Sequence, residues 1–388
     1  MWYNLVTMDD VSSAWKHFIA QIASRQKAEQ AGMSDRIVAL SAKHEQLLLK
    51  EPFETAKRRA LASDTVIVEL ITEKGIVGRG AATPVQYITG ETVESVITAV
   101  DTTSKELIGD ELIFFTDIII KLKMLLCESP SARAAIESAI LDAYGKICGK
   151  PVYEILGGAE MVFETDVTIP VVIPKYAAEL AIQATARGFR KFKVKVSGKN
   201  DNEDLARALS ISQAVLGSSL IVDANQGFQP NEAIDFIHRL VEEGAKIDVF
   251  EQPVDKSDIE GFAHVTKNAN VPVFADESVL TVEDLIKLAK QKAISGVNIK
   301  LMKSGFFGAL EIAMACKMFD LDLMLGCMLE PRFGISSAIH LACISNGFMH
   351  FDLDADLLLV DQSTGGYVRE GALIRPIGVP GLGFLPEC

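Results

Sequence analysis

The chain has 388 residues, about the length of two or three domains rather than one. Its 49% hydrophobic and 23% charged content is that of an ordinary globular protein with a sizeable core. A net charge of −14 argues against a nucleic-acid or acidic-membrane partner, which would call for a basic face, but leaves small anionic substrates open because a bound cation can reverse the local field.

No apolar run is long enough to span a membrane, and the first residues lack the basic-then-apolar pattern of a signal peptide. Six scattered cysteines, none at CxxC spacing, read as reduced thiols, so a cytoplasmic protein is expected. Residues 1–32 read as a helical extension with Trp15, Phe18, Ile19 and Ile22 on one side. Gly32 and Met33 precede the first strand-like segment, and Met33 could serve as an alternative start. Residues 33–158 read as an α+β domain. A β region spans 34–82, with a β-branched run at 65–72 followed by the turn Glu73-Lys74-Gly75; helices fill 91–148, Ser129-Pro130 opening the last.

From about residue 159 to 356 short apolar runs alternate with helical stretches. The runs at 165–169, 192–196, 219–224, 247–251, 271–275, 296–301, 322–327 and 349–353 make eight strand candidates. Such alternation implies parallel strands, and eight units imply a (β/α) barrel. Residues 357–388, rich in Gly and Pro, are expected to pack back on the N-terminal domain.

Polar residues end these strands. Lys193 and Lys195 end the second, Asp223 the third, Glu251 the fourth, Asp276 the fifth and Lys300 the sixth. In a parallel barrel these ends converge on one mouth, where the chemistry sits. Three carboxylates there repel one another unless a cation joins them, and oxygen ligands with open positions suit Mg²⁺, with Mn²⁺ a possible substitute. Alternation turns Lys193 and Lys195 the same way, into the barrel. Lys300, four strands on, stands across the mouth from Lys195. A nearby cation and partial burial are expected to lower a lysine pKa and supply a neutral base. A proton beside a carboxylate is very weakly acidic; metal stabilisation of the enediolate, with a lysine on each face, would allow its removal and its return with inversion.

With these segments in view, the chain resembles the enolase superfamily and its muconate-lactonizing-enzyme subgroup. The handle is Lys193-Val194-Lys195, Asp223-Ala224-Asn225-Gln226-Gly227, Phe250-Glu251-Gln252-Pro253, Ala275-Asp276-Glu277-Ser278 and Asn298-Ile299-Lys300-Leu301-Met302-Lys303. The resemblance, over about residues 34–388, implies Asp223, Glu251 and Asp276 as metal ligands and Lys195 and Lys300 as the acid/base pair. It implies Lys193 as support for the substrate carboxylate, and an N-terminal domain that caps the barrel mouth.

Phe351-Asp352-Leu353-Asp354 looks like the DxD feature of the dipeptide epimerases, a carboxylate pair for a free α-ammonium; Gly326-Cys327-Met328-Leu329-Glu330 is similar to the same family. Pro52-Phe53-Glu54-Thr55-Ala56-Lys57-Arg58 resembles the capping loop of the Ala-Glu epimerases, where Arg58 would pair with a side-chain carboxylate. Arg332 is a second candidate for an acidic group. Thr89-Gly90-Glu91 is similar to the second capping loop. The resemblance thus implies a homo-oligomeric epimerase with a dipeptide substrate of the L-Ala-D/L-Glu kind, Met328, Glu330 and Thr89 shaping the pocket. An N-acylamino-acid racemase, an o-succinylbenzoate synthase, a muconate cycloisomerase and a catalytically silent binding barrel are the alternatives. The acidic pair counts against the first three and the complete ligand set against the last.

Overall fold

A computed structural model describes residues 6–29, 35–360 and 363–384. Gly32, Met33 and Cys388 lie outside the described residues. The expected N-terminal helix is α1 (Met8–Glu29). It opens on a reciprocal cap: the Thr7 amide donates to Asp10 Oδ2 (2.8 Å) and the Asp10 amide to Thr7 Oγ1 (3.3 Å). Val11, Ile19 and Ile22 recur on one helical face and are buried, with Trp15 and Phe18 beside them.

The N-terminal α+β unit begins with strands β1 (Ile37–Glu54), β2 (Arg59–Thr72) and β3 (Val77–Ala82), an antiparallel sheet in that order. Along β2 the alternate residues Val66, Val68 and Leu70 have no exposure and face the helices. The helices are α2 (Gln86–Thr89), α3 (Val93–Leu107), α4 (Phe115–Leu125) and α5 (Pro130–Cys148), the last starting at Ser129-Pro130 as expected. A short α6 (Val152–Ile155) leads out of the unit. The alanine-rich α5 lies almost on β3. A Cβ at Gly78 would sit 2.1 Å from the Ala139 carbonyl oxygen, and one at Gly80 2.0 Å from that of Ala135. These glycines therefore serve helix–sheet packing.

After the two-residue β4 (Phe163–Glu164) comes an eight-stranded parallel sheet: β5 (Val167–Ile169), β6 (Lys191–Lys195), β7 (Ser219–Asp223), β8 (Ile247–Glu251), β9 (Val273–Ala275), β10 (Gly296–Ile299), β11 (Asp322–Gly326) and β12 (Phe348–Asp352). Each of the eight candidate segments contains one of these strands or overlaps it within a residue or two. Helices α7 (Pro174–Ala186), α8 (Asp201–Ala214), α9 (Pro230–Glu242), α10 (Ile259–Asn268) and α11 (Val282–Lys290) surround the first half. The short α12 (Leu301–Ser304), α13 (Phe306–Met318), α14 (Arg332–Ile344) and the short α15 (Ala355–Leu358) complete the ring. The strands run in chain order, and the first and last meet where the Asp166 amide donates to the Phe351 carbonyl (2.9 Å). The result is a nearly closed parallel barrel with an α+β unit capping its mouth.

The inward face of the strands builds both the floor and the site. Ile221, Val249, Phe274 and Met324 form a separate apolar cluster inside the barrel. Two residues further on, the same face presents Asp223, Glu251 and Asp276. The C-terminal segment forms β13 (Tyr367–Glu370) and β14 (Leu373–Pro376), which join β4 in a small sheet. Its last described turn reaches the N-terminal unit, where the Leu382 amide donates to Asp142 of α5 (2.8 Å). No helix among the described residues is long and apolar enough to cross a membrane.

Candidate active site

Asp223, Glu251 and Asp276 have no solvent exposure, and each offers an oxygen within 4.8 Å of the others. The backbone bends sharply behind them: Asn225 (φ 41°), Gln226 (φ 68°) and Gln252 (φ 40°) adopt the left-handed region that few side chains tolerate. The strain is held by hydrogen bonds. Gln252 Oε1 accepts from the amides of Asp276 (2.9 Å) and Ser278 (3.1 Å), and the Asn225 amide donates to Asp223 Oδ1 (2.9 Å). Asn298 Nδ2 donates to Glu251 Oε1 (2.8 Å). Lys303 Nζ grips Asp276 from behind, donating to its Oδ1 (2.7 Å), to its carbonyl (2.5 Å) and to the Asn298 carbonyl (2.8 Å).

These residues fit a divalent cation. The donors are hard oxygens, buried and convergent. Burial, then Asp223 beside it, pushes the Glu251 carboxyl up to about 7, a tension that a cation between them would relieve. Glu251 Oε2 accepts no well-directed hydrogen bond, although the Lys193 ammonium lies 2.8 Å away.

The lysines stand where alternation puts them. Lys195 donates to Asp223, and Lys300 to Asp276 at 2.7 Å. They come from positions four strands apart in the eight-strand ring and line one cavity from opposite sides. Lys193 has no exposure and lies beneath them, within 2.8 Å of Glu251, 2.7 Å of Asp352 and 3.1 Å of Asp223. Burial pulls the Lys300 ammonium down, but the Asp276 carboxylate it touches outweighs this and raises the group above the ordinary lysine range, a rise that a cation on that carboxylate would oppose. Lys193 is raised in the same way by Asp352 and Glu251, against its burial.

Of the residues singled out from sequence, Arg58, Lys195, Asp276, Lys300, Met328, Asp352 and Asp354 line the cavity. Asp223, Glu251 and Lys193 are not on its wall but touch residues that are, or one another: Asp223 meets Lys195, and Lys193 meets Asp352 and Glu251. Asp352 and Asp354 are both buried: Thr168 donates its amide to Asp354 (2.7 Å) and its hydroxyl to Asp352 (3.4 Å). Burial and the neighbouring Asp352 push Asp354 up to about 6. Behind the pair, Asp166 is fully buried with neither carboxyl oxygen hydrogen-bonded among the described residues, and burial raises it well above the usual carboxylate range.

Three candidates lie off the cavity wall. Glu330 turns back on its own loop, accepting from the Met328 amide (2.8 Å), and burial pushes it up to about 7. Thr89 lies one residue beyond Ile88, which with Tyr87 does line the cavity. Arg332 serves the C-terminal segment: it donates to the carbonyls of Gly365 (2.9 Å) and Tyr367 (2.7 Å) and stacks 3.9 Å over the Tyr367 ring. It is not among the residues that line the cavity, so its position lends no support to its reading as a ligand for an acidic group.

Phe53, Thr55, Tyr87, Thr168, Asn225, Cys327 and Leu358 also line the cavity and were not singled out as ligands. Thr168 could have been found, since it sits near the end of the first barrel strand under the rule that picked the others. The capping-loop residues carry no such positional rule.

Residues 37–157 match the family model for the mandelate racemase/muconate lactonizing enzyme N-terminal domain, and residues 175–387 that for the enolase C-terminal domain-like fold. The L-Ala-D/L-Glu epimerase of Clostridium acetobutylicum is 38% identical over 345 residues, 88% of this chain and 96% of that protein. The substrate-liganded structure of the L-Ala-D/L-Glu epimerase from Bacillus subtilis superposes with a TM-score of 0.86 at 35% identity, over 90% of this chain and 98% of that one. A dipeptide epimerase from Enterococcus faecalis, solved with Mg and L-Leu-L-Tyr, gives a TM-score of 0.85 at 34% identity, over 90% and 99%. With its barrel, its carboxylate triad and its facing lysines, the chain is a metal-dependent isomerase that belongs to the enolase superfamily and, within its muconate-lactonizing branch, to the dipeptide epimerases.

Proposed function

We infer that the protein epimerises dipeptides with an acidic second residue, L-Ala-D/L-Glu being the best description of its substrate. The carrying observation is Arg58. Its guanidinium opens on the same cavity as the two lysines and the Asp352/Asp354 pair, and no acidic side chain among the described residues neutralises it. A dipeptide in this cavity is held at both ends: the α-ammonium by Asp352 and Asp354, the side-chain carboxylate by Arg58 through a bidentate, charge-assisted contact.

Between those anchors the α-carbon of the second residue lies between Lys195 and Lys300. One amine, in its neutral form, takes the α-proton as the C–H bond breaks, and the electron pair moves into the carboxylate. The other lysine, as an ammonium, returns a proton to the opposite face, so the bond re-forms with inverted configuration. Lys193 keeps a positive charge beneath the developing dianion. A divalent cation on Asp223, Glu251 and Asp276 supplies Lewis-acid stabilisation of the carboxylate oxygens when bound.

A second reading has one observation in its favour. Phe53, Met328, Leu329 and Leu358 also line the cavity and would suit an apolar second side chain. Incubation with Mg²⁺ and L-Ala-L-Glu in D₂O, followed by proton NMR, decides between them. Loss of the Glu α-proton signal with appearance of L-Ala-D-Glu is the expected result. Turnover of L-Ala-L-Leu but not of L-Ala-L-Glu would move the assignment to apolar dipeptides. No exchange on either would shift it to N-acylamino acids and leave Asp352 and Asp354 structural.

A further inference from the structure

We propose that Tyr87 is a specificity-determining residue: its hydroxyl is the second donor to the acidic side chain that Arg58 binds, the two forming one carboxylate clamp from two separate capping loops. The proposal rests on the acidic-dipeptide reading above and deepens it.

The two loops are fixed independently. The first is the β1–β2 turn. There the Thr55 amide donates to the Arg58 carbonyl (2.9 Å) and Thr55 Oγ1 accepts from the Lys57 and Arg58 amides (both 3.3 Å), so the backbone beneath Arg58 is closed on itself. The second is the segment between β3 and α3. Ile88 is 6% exposed and plugs into the core, while the Glu91 carboxylate accepts from the amides of Ser131 (2.9 Å) and Ala132 (3.2 Å) at the start of α5. Between these two anchors Gly90 takes a left-handed turn (φ 81°) that ends α2. Tyr87 is thereby held with its ring at the mouth, 37% exposed, and its side chain lines the cavity with Arg58, Asn225, Asp276 and Lys300.

The Arg58 guanidinium carbon lies 5.9 Å from the Tyr87 ring centroid, within cation–π range. The ring therefore limits where the guanidinium can go. The Tyr87 hydroxyl has no hydrogen-bond partner among the described residues. Burial pushes it up to about 12, so it remains a donor at any working pH. A donor with nothing to donate to, beside a guanidinium with nothing to pair with, is the arrangement a carboxylate completes. An apolar side chain would leave both groups unsatisfied as it displaced their water, so the pair also discriminates against such substrates.

The test compares the Mg²⁺-loaded wild-type enzyme and Tyr87→Phe on L-Ala-L-Glu and L-Ala-L-Met, two second residues of similar length of which only Glu carries a carboxylate. Phenylalanine keeps the ring beside Arg58 and removes only the hydroxyl. The expected result is a fall of about tenfold in the Glu-over-Met preference in kcat/KM, carried by KM for L-Ala-L-Glu. An unchanged preference, or an equal loss on both substrates, overturns the role of Tyr87 while the wild-type preference for Glu upholds the reading of Arg58. A wild-type enzyme with no preference for Glu overturns both.

Discussion

On the proposed mechanism Lys195 and Lys300 act on opposite faces of one carbon, so their removal should separate the two half-reactions. Lys195→Ala and Lys300→Ala should each lose epimerisation by a factor of a thousand or more, roughly the share that a general acid–base group contributes together with its positioning. Each variant retains one lysine and therefore one face. In D₂O it should exchange the α-proton of one Glu configuration at most, which is read by NMR on L-Ala-L-Glu and L-Ala-D-Glu in parallel. Full epimerisation in either variant would sink the two-base scheme. At this scale the sequence is most legible where a side chain's direction follows from strand alternation. Lys193 and Lys195 were placed that way, Asp223 and Glu251 as the ends of the next two strands, and all four are buried at adjacent strand ends in the structure. Charge state was not legible, because it depends on which neighbour an amine touches. Lys300 meets Asp276 at 2.7 Å, a contact between strands that no single segment reveals.

Among the elements, the barrel strands were read closely and the capping loops only in part. Short β-branched runs at the spacing of one strand–helix unit locate β5 to β12, since a parallel strand buried on both faces leaves little alternative for such a run. The side chains of residues 53–58 and 86–88 take their positions from the barrel they cover, so Arg58 could be proposed only from resemblance and Tyr87 escaped notice. Helix α5 shows a further limit of pattern. Its buried face includes Glu137, 1% exposed, which accepts from the Phe307 amide (3.1 Å) and has the Arg133 guanidinium at 3.9 Å. Burial outweighs these partners and raises its carboxyl from 4.5 to about 7. The folded state therefore holds this proton more tightly than the unfolded chain. The group's stabilising contribution is complete below about pH 4.5 and is lost as pH rises through about 7. The shift corresponds to roughly 3 kcal/mol. Glu137→Gln cannot ionise and should lack this component. Denaturant unfolding at pH 5 and pH 8 should show wild type losing a few kcal/mol more than the variant over that interval. The same pH dependence in both proteins would mean that Glu137 does not titrate there.

Across the whole molecule, α1 lies outside the segment that matches the family models, which begins at residue 37. It packs between α4 of the capping unit and α13 of the barrel, with the Trp15 ring edge-on to Phe307 at 6.1 Å. None of its described residues lines the cavity. Its contribution is thus to hold cap and barrel together rather than to act on substrate. Burial of Val11, Ile19 and Ile22, together with the helix's own hydrogen bonds, opposes the entropy of ordering α1, and a small net stabilisation is expected. Removing residues 1–29 should therefore lower the thermal midpoint by roughly 2 °C, an effect of a kcal/mol or two. It should leave kcat/KM on L-Ala-L-Glu within about twofold, because none of its described residues lines the cavity and α13, on which it packs, belongs to the outer ring of helices. Differential scanning calorimetry and steady-state kinetics on the same preparation measure the two quantities together. A large fall in kcat with an unchanged midpoint would contradict this clamping role and would mean that α1 controls how the cap sits over the mouth during turnover.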